Sequence, residues 1–215
     1  KHMDGVIFAG EVDIRVIEEF RKQSIPVVLV NNYLDMDGLV CISADHYGGA
    51  VQATEYLCKL GPCKIGLLSG RFSPQVSEAR IEGFVKTLAK YDIPVDDRFI
   101  ADIEPALEDG EEIMTRMLRE VDRPTAFFCT NDTIAAGAMK AVTRAGLRVP
   151  EDIAIIGFDD SYISRVVEPE LTTVRIDAAK MGCLAMQTLF DLIAGMPVEK
   201  AHIQIPTELI VRGTA

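Results

Sequence analysis

Two polar clusters lie where two apolar runs of the sequence end. The cluster Thr130–Asp132 closes a run that begins at Thr125, and Asp159–Asp160 closes a run that begins at Ile153. If both runs are parallel strands, the clusters meet at the carboxyl edge of a sheet, where open α/β sheets bind ligands. A carboxylate accepts hydrogen bonds from hydroxyl groups, and an amide both donates and accepts them. The sequence therefore predicts a site for a small polar ligand at this edge.

The chain between Pro124 and Asp160 has the pattern of one β-α-β unit. Both apolar runs are short, uninterrupted and rich in Phe and Ile, which is typical of strands covered on both faces. Apolar residues recur between the runs at helical spacing, at Ala135, Ala138, Met139 and Val142. Asn131 or Asp132 suits the N-cap of this helix, and Gly146 suits its end.

The alternation of strands and helices extends over the chain and predicts an α/β fold with doubly wound parallel sheets. Strand-like runs lie at Gly5–Ala9, Pro26–Asn31, Val40–Ala44, Lys64–Ser69, Phe99–Ile103, Thr125–Thr130, Ile153–Phe158 and Ile203–Val211. Helical patterns lie at Glu11–Gln23, Tyr47–Leu60, Gln75–Tyr91, Glu108–Val121, Thr133–Ala145 and Ala178–Ala194. The short link between the second and third strand-like runs indicates a lobe boundary or a sheet edge, as does Gly195–Pro197 after the last helix.

Composition and charge exclude several classes of protein. With 215 residues and 48% hydrophobic content the chain can bury a substantial core, and its net charge of −11 offers no electrostatic footprint for nucleic acid or an anionic membrane. No apolar run approaches ~18 residues and no signal peptide opens the chain, so a membrane span and secretion are both unsupported. The five cysteines are odd in number and several lie in apolar segments, which favours a reducing compartment. We expect neither a metal nor a cofactor, because no spacing typical of such sites is present.

Four sets of segments, in order, carry a resemblance to a known family. They are Asp4–Phe8, Lys64–Gly70 with Ala79–Phe84, Pro124–Asp160, and Pro169–Val174 with Glu208–Arg212. In these segments the chain resembles the effector-binding core of the lactose/galactose repressor (LacI/GalR) family of bacterial transcription regulators.

The resemblance implies two periplasmic-binding-protein-like lobes joined by three crossovers, near Asp45, Val174 and Ile203. The amino lobe would comprise 1–45 plus 175–202, and the carboxyl lobe 46–174 plus 203–215. A family member normally carries a DNA-binding headpiece, a hinge helix and further strand–helix units before the Asp4–Phe8 strand. The resemblance therefore implies that the headpiece is absent from this chain and that the amino lobe is incomplete.

The resemblance also assigns the ligand site. Arg80, Asn131 and Asp159 match family positions that line the effector cleft between the lobes. Their chemistry suits a polyhydroxylated ligand, because a guanidinium fork donates to two neighbouring hydroxyls and a carboxylate accepts from two. The alternatives are that Arg80 is a solvated helix residue paired to Glu78 or Glu82, and that Asn131 is only an N-cap.

Further residues are assigned less directly. In the family a polar residue at the position of Asn31 often faces the effector, and Tyr33 or Phe72 would stack on a sugar or simply cover the core edge. The Ser161–Val167 loop belongs to the family's dimer interface. This would explain three apolar residues in a surface connection, which are Ile163, Val166 and Val167. The alternative is a loop packed against its own lobe.

The function implied by the resemblance is ligand sensing by a cytoplasmic, homodimeric transcription regulator without catalytic residues. A sugar or similar effector in the interlobe cleft would shift the population of conformations, and operator DNA would be contacted only through the headpiece. A periplasmic sugar-binding protein of a transporter shares this fold and is the alternative. An enzyme is a third hypothesis, with Asp159–Asp160 as a metal-carboxylate pair, but neither a phosphate loop nor a catalytic base accompanies the pair.

Overall fold

The structure, a computed structural model, describes residues 3–32, 34, 36, 38–62, 64–198 and 201–215. Contacts divide the chain into two units. The first unit comprises Lys1–Asp45 and Asp177–Pro206, and the second comprises His46–Ile176 and Thr207–Ala215. The chain therefore passes from one unit to the other three times.

Strands and helices alternate along most of the described chain. The strands are β1 (Val6–Ala9), β2 (Val27–Val30), β3 (Val40–Ala44), β4 (Ile65–Gly70), β5 (Ile100–Ile103), β6 (Ala126–Cys129), β7 (Ala154–Asp159), β8 (Thr172–Arg175), β9 (His202–Ile205) and β10 (Glu208–Ile210). The helices are α1 (Ile14–Lys22), α2 (His46–Lys59), α3 (Pro74–Lys90), α4 (Leu107–Met117), α5 (Asp132–Arg144) and α6 (Ala178–Ile193). The predicted α/β class, with mostly parallel sheets, is confirmed.

The prediction of one strand over Ile203–Val211 is wrong. The structure places two strands there, with β9 in the first unit and β10 in the second. Pro206 lies between them, and because proline has no N–H it cannot continue a hydrogen-bonded ladder. The chain changes units directly after this residue.

The first unit is built on a four-stranded parallel sheet in the order β1-β2-β3-β9. Helix α1 begins after Asp13, whose side chain accepts a hydrogen bond from the backbone N–H of Arg15 at 2.9 Å and so caps the helix. Ile17 of α1 is fully buried in a core cluster with Leu29 and Cys41 of the sheet. Helix α6 also packs against β1, β2 and β3.

The second unit is built on a six-stranded sheet in the order β10-β8-β7-β6-β4-β5. All neighbouring strands are parallel except β10, which runs antiparallel to β8 at one edge. From β4 the chain moves outward to β5 and then returns to the other side of β4 to form β6. The loops that follow β4 and β6 therefore diverge, and this switch in strand order is where doubly wound sheets bind ligands.

The apolar strands of this sheet place side chains in two hydrophobic cores, one on each face. Phe127 and Phe128 are consecutive and both fully buried, yet they belong to different clusters on opposite faces of the sheet. Helices α4 and α5 pack together on the face of Phe127, whereas α2 and α3 pack together on the face of Phe128. Fully burying one such side chain contributes about 1.5–3 kcal/mol. The two layers of helices fix α3, which carries Arg80, and α5, whose amino end follows Asn131.

Candidate functional site

Three predicted ligand residues meet at the carboxyl ends of neighbouring strands. Arg80 lies on α3, which follows β4, while Asn131 precedes α5 and Asp159 is the last residue of β7. The carboxylate of Asp159 joins the other two. Its Oδ1 accepts a hydrogen bond from Nη2 of Arg80 at 3.2 Å, and its Oδ2 accepts one from Nδ2 of Asn131 at 2.8 Å. The three side chains therefore form one hydrogen-bonded cluster at the switch in strand order.

The guanidinium of Arg80 is enclosed by groups from α2, from β7 and from the loops that follow β4 and β6. Its side chain is 4% exposed, and Nη1 donates to the carbonyl oxygen of Thr130. Nδ1 of His46 lies 3.2 Å from Nη2 and 3.4 Å from Nε. The guanidinium carbon lies 3.9 Å from the ring centroid of Phe158 and 4.9 Å from that of Phe72. The guanidinium is therefore held by two aromatic rings and by hydrogen bonds along its edges.

Burial sets the charge of the groups around Arg80. It lowers the pKa of His46 to about 3, and the neighbouring positive charge of Arg80 adds to this shift, so the imidazole is neutral near pH 7. Burial also raises the pKa of the Asp159 carboxyl, although Arg80 and Asn131 both favour its ionised form. The cluster thus presents one cation and one carboxylate that are held in place by neutral neighbours.

Asn131 combines two functions. Its Oδ1 accepts from the backbone N–H groups of Thr133 at 2.8 Å and Ile134 at 3.4 Å, which caps the amino end of α5. Because the cap fixes the amide oxygen, the amide nitrogen must point the other way, toward Asp159. The capping interpretation and the cluster interpretation of this residue are therefore both present in the structure.

The backbone at the end of β7 is unusual. Asp159 has φ 106° and Asp160 has φ 50°, in the region that disfavours residues with a side chain. Such conformations are sparsely populated and concentrate at ligand sites, where surrounding contacts hold them. Here the side chain of Asp159 is 29% exposed and that of Asp160 is 2% exposed, so only the first is available to a ligand.

Asp159 and Asp160 do not form a metal-binding carboxylate pair. Asp160 accepts hydrogen bonds from Nε of Arg175 at 2.8 Å and from Nη2 of Arg212 at 2.6 Å. These arginines occupy both of its oxygens. Across the described ranges, no group of three or more His, Cys, Asp or Glu side chains is placed to hold a metal ion.

Comparison with known proteins identifies the family. Residues 54–215 match the periplasmic binding protein-like domain family. Over 211 residues the chain is 34% identical to the probable HTH-type transcriptional repressor ExuR of Bacillus subtilis, and the match covers 97% of this chain and 63% of that repressor. A regulatory protein of the LacI family from Chloroflexus aggregans has a similar structure, with a TM-score of 0.90 and 30% identity over 98% of this chain and 76% of that one. The chain belongs to the LacI family. The resemblance drawn from the sequence is confirmed.

Another similar LacI-family structure was solved with a bound ligand. The LacI-family transcriptional regulator from Enterococcus faecium, with bound ribose, has a TM-score of 0.89 and is 28% identical over 98% of this chain and 79% of that one. The present chain spans less than two thirds of the length of the ExuR repressor, at 63%. What a whole LacI-family regulator binds is therefore a matter of proposal for this protein.

The remaining ligand predictions have different outcomes in this LacI-family chain. Asn31 lies in the first unit at the end of β2, with φ 49°, and its Oδ1 accepts from the backbone N–H of Ala44 at 3.3 Å. Tyr33 lies outside the described residues. Phe72 is half-buried, and its ring lies over the guanidinium of Arg80. The structure therefore brings Phe72 into the cluster of the second unit.

The alternative for Arg80 is wrong. A solvated helix residue paired to Glu78 or Glu82 would be exposed, whereas Arg80 is buried and pairs with Asp159. Glu82 pairs instead with Lys86, one helical turn further along α3. Arg80 is on the inward face of the helix, where the neighbouring apolar residues also lie.

The loop predicted to form a dimer interface is only partly exposed. Val166 is 58% exposed, whereas Ile163 and Val167 are half-buried, and Val167 packs against the core of its own unit. Tyr162, which sequence reasoning did not single out, is 85% exposed. The exposed apolar surface of this loop therefore comes from Tyr162 and Val166.

Sequence reasoning missed two neighbours of Arg80, which are His46 and Phe158. Thr130 belongs to the polar cluster predicted at this strand end, but the contact of its carbonyl oxygen with Arg80 was not predicted. His46 opens a helix directly after β3, but its distance of 34 residues from Arg80 gave no indication of contact. The sequence pattern around Phe158 indicates only a core residue. In the structure Phe158 is buried, and its ring also contacts the guanidinium of Arg80.

Proposed function

We propose that the protein is the ligand-sensing part of a bacterial transcription regulator, in which a sugar or similar small polar effector binds to Arg80, Asn131 and Asp159. The observation that carries this proposal is the hydrogen-bonded cluster of these three side chains at the switch in strand order. Relatives of the chain are transcriptional repressors, and a LacI-family neighbour holds ribose. Both facts support a sensor rather than an enzyme.

The chemistry of the cluster suits adjacent hydroxyl groups. Asp159 accepts hydrogen bonds, Arg80 donates them, and the amide of Asn131 lies beside both. A ligand that lacks a matching hydroxyl leaves a desolvated charge unpaired, which costs about 1–3 kcal/mol or more. We assign Phe72 to orienting Arg80, and we keep Asn31 and Tyr33 as contributors from the first unit.

The regulatory part of the proposal follows the family. Effector binding favours one of two conformations, and the affinity difference between them determines the response. We propose a homodimer formed through Ile163, Val166 and Val167. Analytical ultracentrifugation tests it, because the Val166→Glu variant is expected to sediment as a monomer. Contacts to operator DNA are assigned to a headpiece outside these residues, because the net charge here is −11.

The proposed location is the cytoplasm, where a transcription regulator meets DNA. No helix in the described part of the chain is both long and apolar enough to cross a membrane. A periplasmic sugar-binding protein of a transporter remains the alternative and is not favoured, because the relatives are repressors.

A thermal-shift experiment on the whole regulator tests the proposed site. Wild type, Arg80→Ala and Asp159→Ala are heated with a panel of sugars, sugar phosphates, nucleosides and purines. A ligand at about 100 times its wild-type Kd should stabilise the wild type by about 2.7 kcal/mol and each variant by less than about 1 kcal/mol, because the variants keep only weak binding. Arg98→Ala is the matched control. Arg98 is 58% exposed and directly precedes β5, so it lies at the amino ends of the strands, whereas the site lies at their carboxyl ends. A stabilisation that survives both site substitutions would contradict the assignment.

A further inference from the structure

We propose that His46 is a positioning residue of the effector site, whose neutral imidazole accepts hydrogen bonds from Arg80 and sets the plane in which the guanidinium meets the ligand. This inference rests on the proposed function, because it concerns how Arg80 binds an effector. His46 is the first residue of the second unit and of α2, and it contacts Arg80 across the junction of α2 and α3.

The contact determines the tautomer of His46. Nδ1 of the imidazole lies 3.2 Å from Nη2 and 3.4 Å from Nε of Arg80. A guanidinium carries only donors, so Nδ1 must supply a lone pair and the ring proton must be on Nε2. The imidazole thus acts as an acceptor for two N–H groups on one edge of Arg80.

His46 is the neighbour of Arg80 that a ligand cannot easily displace. The Asp159 side chain is 29% exposed, so an effector hydroxyl can compete with Arg80 for its oxygens. His46 is 3% exposed and lies against the ring of Phe158, with 6.0 Å between ring centroids. When Asp159 turns to the ligand, His46 and the Thr130 carbonyl still hold the guanidinium.

The charges around His46 keep this acceptor neutral. Arg80 from α3 faces it directly, and the Asp159 carboxylate from β7 accepts a hydrogen bond from the same Nη2 of Arg80 that contacts His46. Burial and the charge of Arg80 hold the pKa of His46 at about 3. A protonated imidazole would lose its lone pair and repel Arg80, so the arrangement requires the neutral form.

Nuclear magnetic resonance of the free, 15N-labelled protein tests the contact without a ligand. The His46 imidazole is identified by its loss in His46→Asn, and long-range 1H–15N spectra are compared at about pH 7.5 and about pH 5. We expect an unprotonated Nδ1 and a protonated Nε2 at both pH values. A proton on Nδ1, or a ring that becomes charged over this range, would overturn the proposal.

A binding experiment tests the consequence for the site. Isothermal titration uses whichever member of the thermal-shift panel stabilises the wild type. His46→Leu should weaken binding about tenfold, as expected for losing an acceptor from a charged donor. His46→Asn, whose amide oxygen can replace Nδ1, should remain within about threefold of wild type. His202→Leu, which removes an exposed imidazole from the first unit, should bind normally.

A double-substitution cycle separates positioning from a general effect on folding. In an Arg80→Ala background His46→Leu should cause no further loss of affinity, because the residue that it positions is gone. An equal loss in both backgrounds, or wild-type affinity in His46→Leu, would overturn the proposal. If no panel member binds the wild type, the proposed function fails and the resonance experiment decides the His46 contact by itself.

Discussion

Arg212 donates a hydrogen bond of 2.6 Å to Asp160, the residue that directly follows the proposed effector ligand Asp159. Asp160 also accepts from Nε of Arg175 at 2.8 Å and from Oγ of Ser164 at 3.0 Å. Burial of this carboxyl is more than offset by these hydrogen bonds, so its pKa lies below the ordinary value. Two adjacent carboxylates thus have different tasks, since Asp159 is proposed to face a ligand and Asp160 ties Arg175 of β8 and Arg212 to the end of β7.

Replacing Asp160 should destabilise the protein. Asp160→Asn removes the charge that pairs most closely with Arg212, whose side chain is 11% exposed, and leaves this arginine with the more distant, exposed carboxylate of Glu170 at 3.6 Å. Since Arg175 is 40% exposed and can be rehydrated, we expect a loss of about 2 kcal/mol rather than the larger cost of a fully buried pair. Urea unfolding followed by circular dichroism measures this change.

The matched control for Asp160 is Asp102. Its carboxylate pairs with Arg71, but these side chains are 61% and 56% exposed. Asp102→Asn should therefore change the free energy of unfolding by less than about 0.5 kcal/mol. Equal effects of the two substitutions would show that Asp160 does not fasten the chain.

The stability of the protein should depend on the protonation of Asp132. This side chain is fully buried, where Oγ of Thr173 donates to it at 2.5 Å and the backbone N–H of Ser161 donates at 2.6 Å. Burial outweighs these hydrogen bonds and raises its pKa from 3.8 to about 6. The native state therefore binds more protons than the unfolded state between about pH 4 and pH 6.

The sign of this effect is fixed by linkage. Above about pH 6 the buried charge opposes folding by about 3 kcal/mol, and this penalty disappears as the pH falls toward 4. Relative to Asp132→Asn, the wild type should gain about 2 kcal/mol between about pH 7.5 and pH 4.5. Urea unfolding of both proteins at each pH measures the gain, and a difference that is constant with pH would contradict the prediction.

Two glycines allow α4 and α5 to pack closely. A Cβ at Gly137 of α5 would overlap the carbonyl oxygen of Leu107, and a Cβ at Gly110 of α4 would overlap that of Ile134. Because the obstacle is backbone in each case, Gly137→Ala forces the helices apart and should cost about 2–3 kcal/mol in urea unfolding. A loss below about 0.5 kcal/mol would mean that the interface adjusts freely.

Gly182 provides the control for the effect of alanine itself. It lies within α6, and a Cβ there would meet no atom within 4 Å. Since alanine loses less conformational freedom than glycine in a helix, Gly182→Ala should stabilise the protein by up to about 1 kcal/mol. The two substitutions are chemically identical and should differ in sign.

The fold was largely readable from the sequence because its strands are buried on both faces. Phe127 and Phe128 enter different cores, so the run that contains them is apolar without alternation and indicates a parallel strand. The exception is the segment around Pro206, where one apolar pattern spans two strands in different units. The hydrophobic pattern of a segment indicates that it is buried, but it does not indicate which sheet the strand joins.

Only part of the candidate site could be predicted from the sequence. Asn131 and Asp159 follow strands, and position alone places them at the ligand edge of a sheet. His46 and the Thr130 carbonyl contact Arg80 across 34 and 50 residues of sequence. Such contacts depend on how α2, α3 and β6 pack, which no local spacing encodes. Residues that hold a ligand-binding side chain in place are for this reason harder to find than the side chain itself.

The two functions of Asn131 can be separated by substitution. Asn131→Ala removes both the cap of α5 and the donor to Asp159, so it should lower the free energy of unfolding by about 1 kcal/mol and also weaken effector binding. Asn131→Ser keeps a capping oxygen but has no amide to reach Asp159. We therefore expect near wild-type stability from serine, with affinity still reduced about tenfold. Urea unfolding and isothermal titration with the ligand from the thermal-shift panel give the two values. Recovery of both stability and affinity in the serine variant would show that Asn131 acts only as a helix cap.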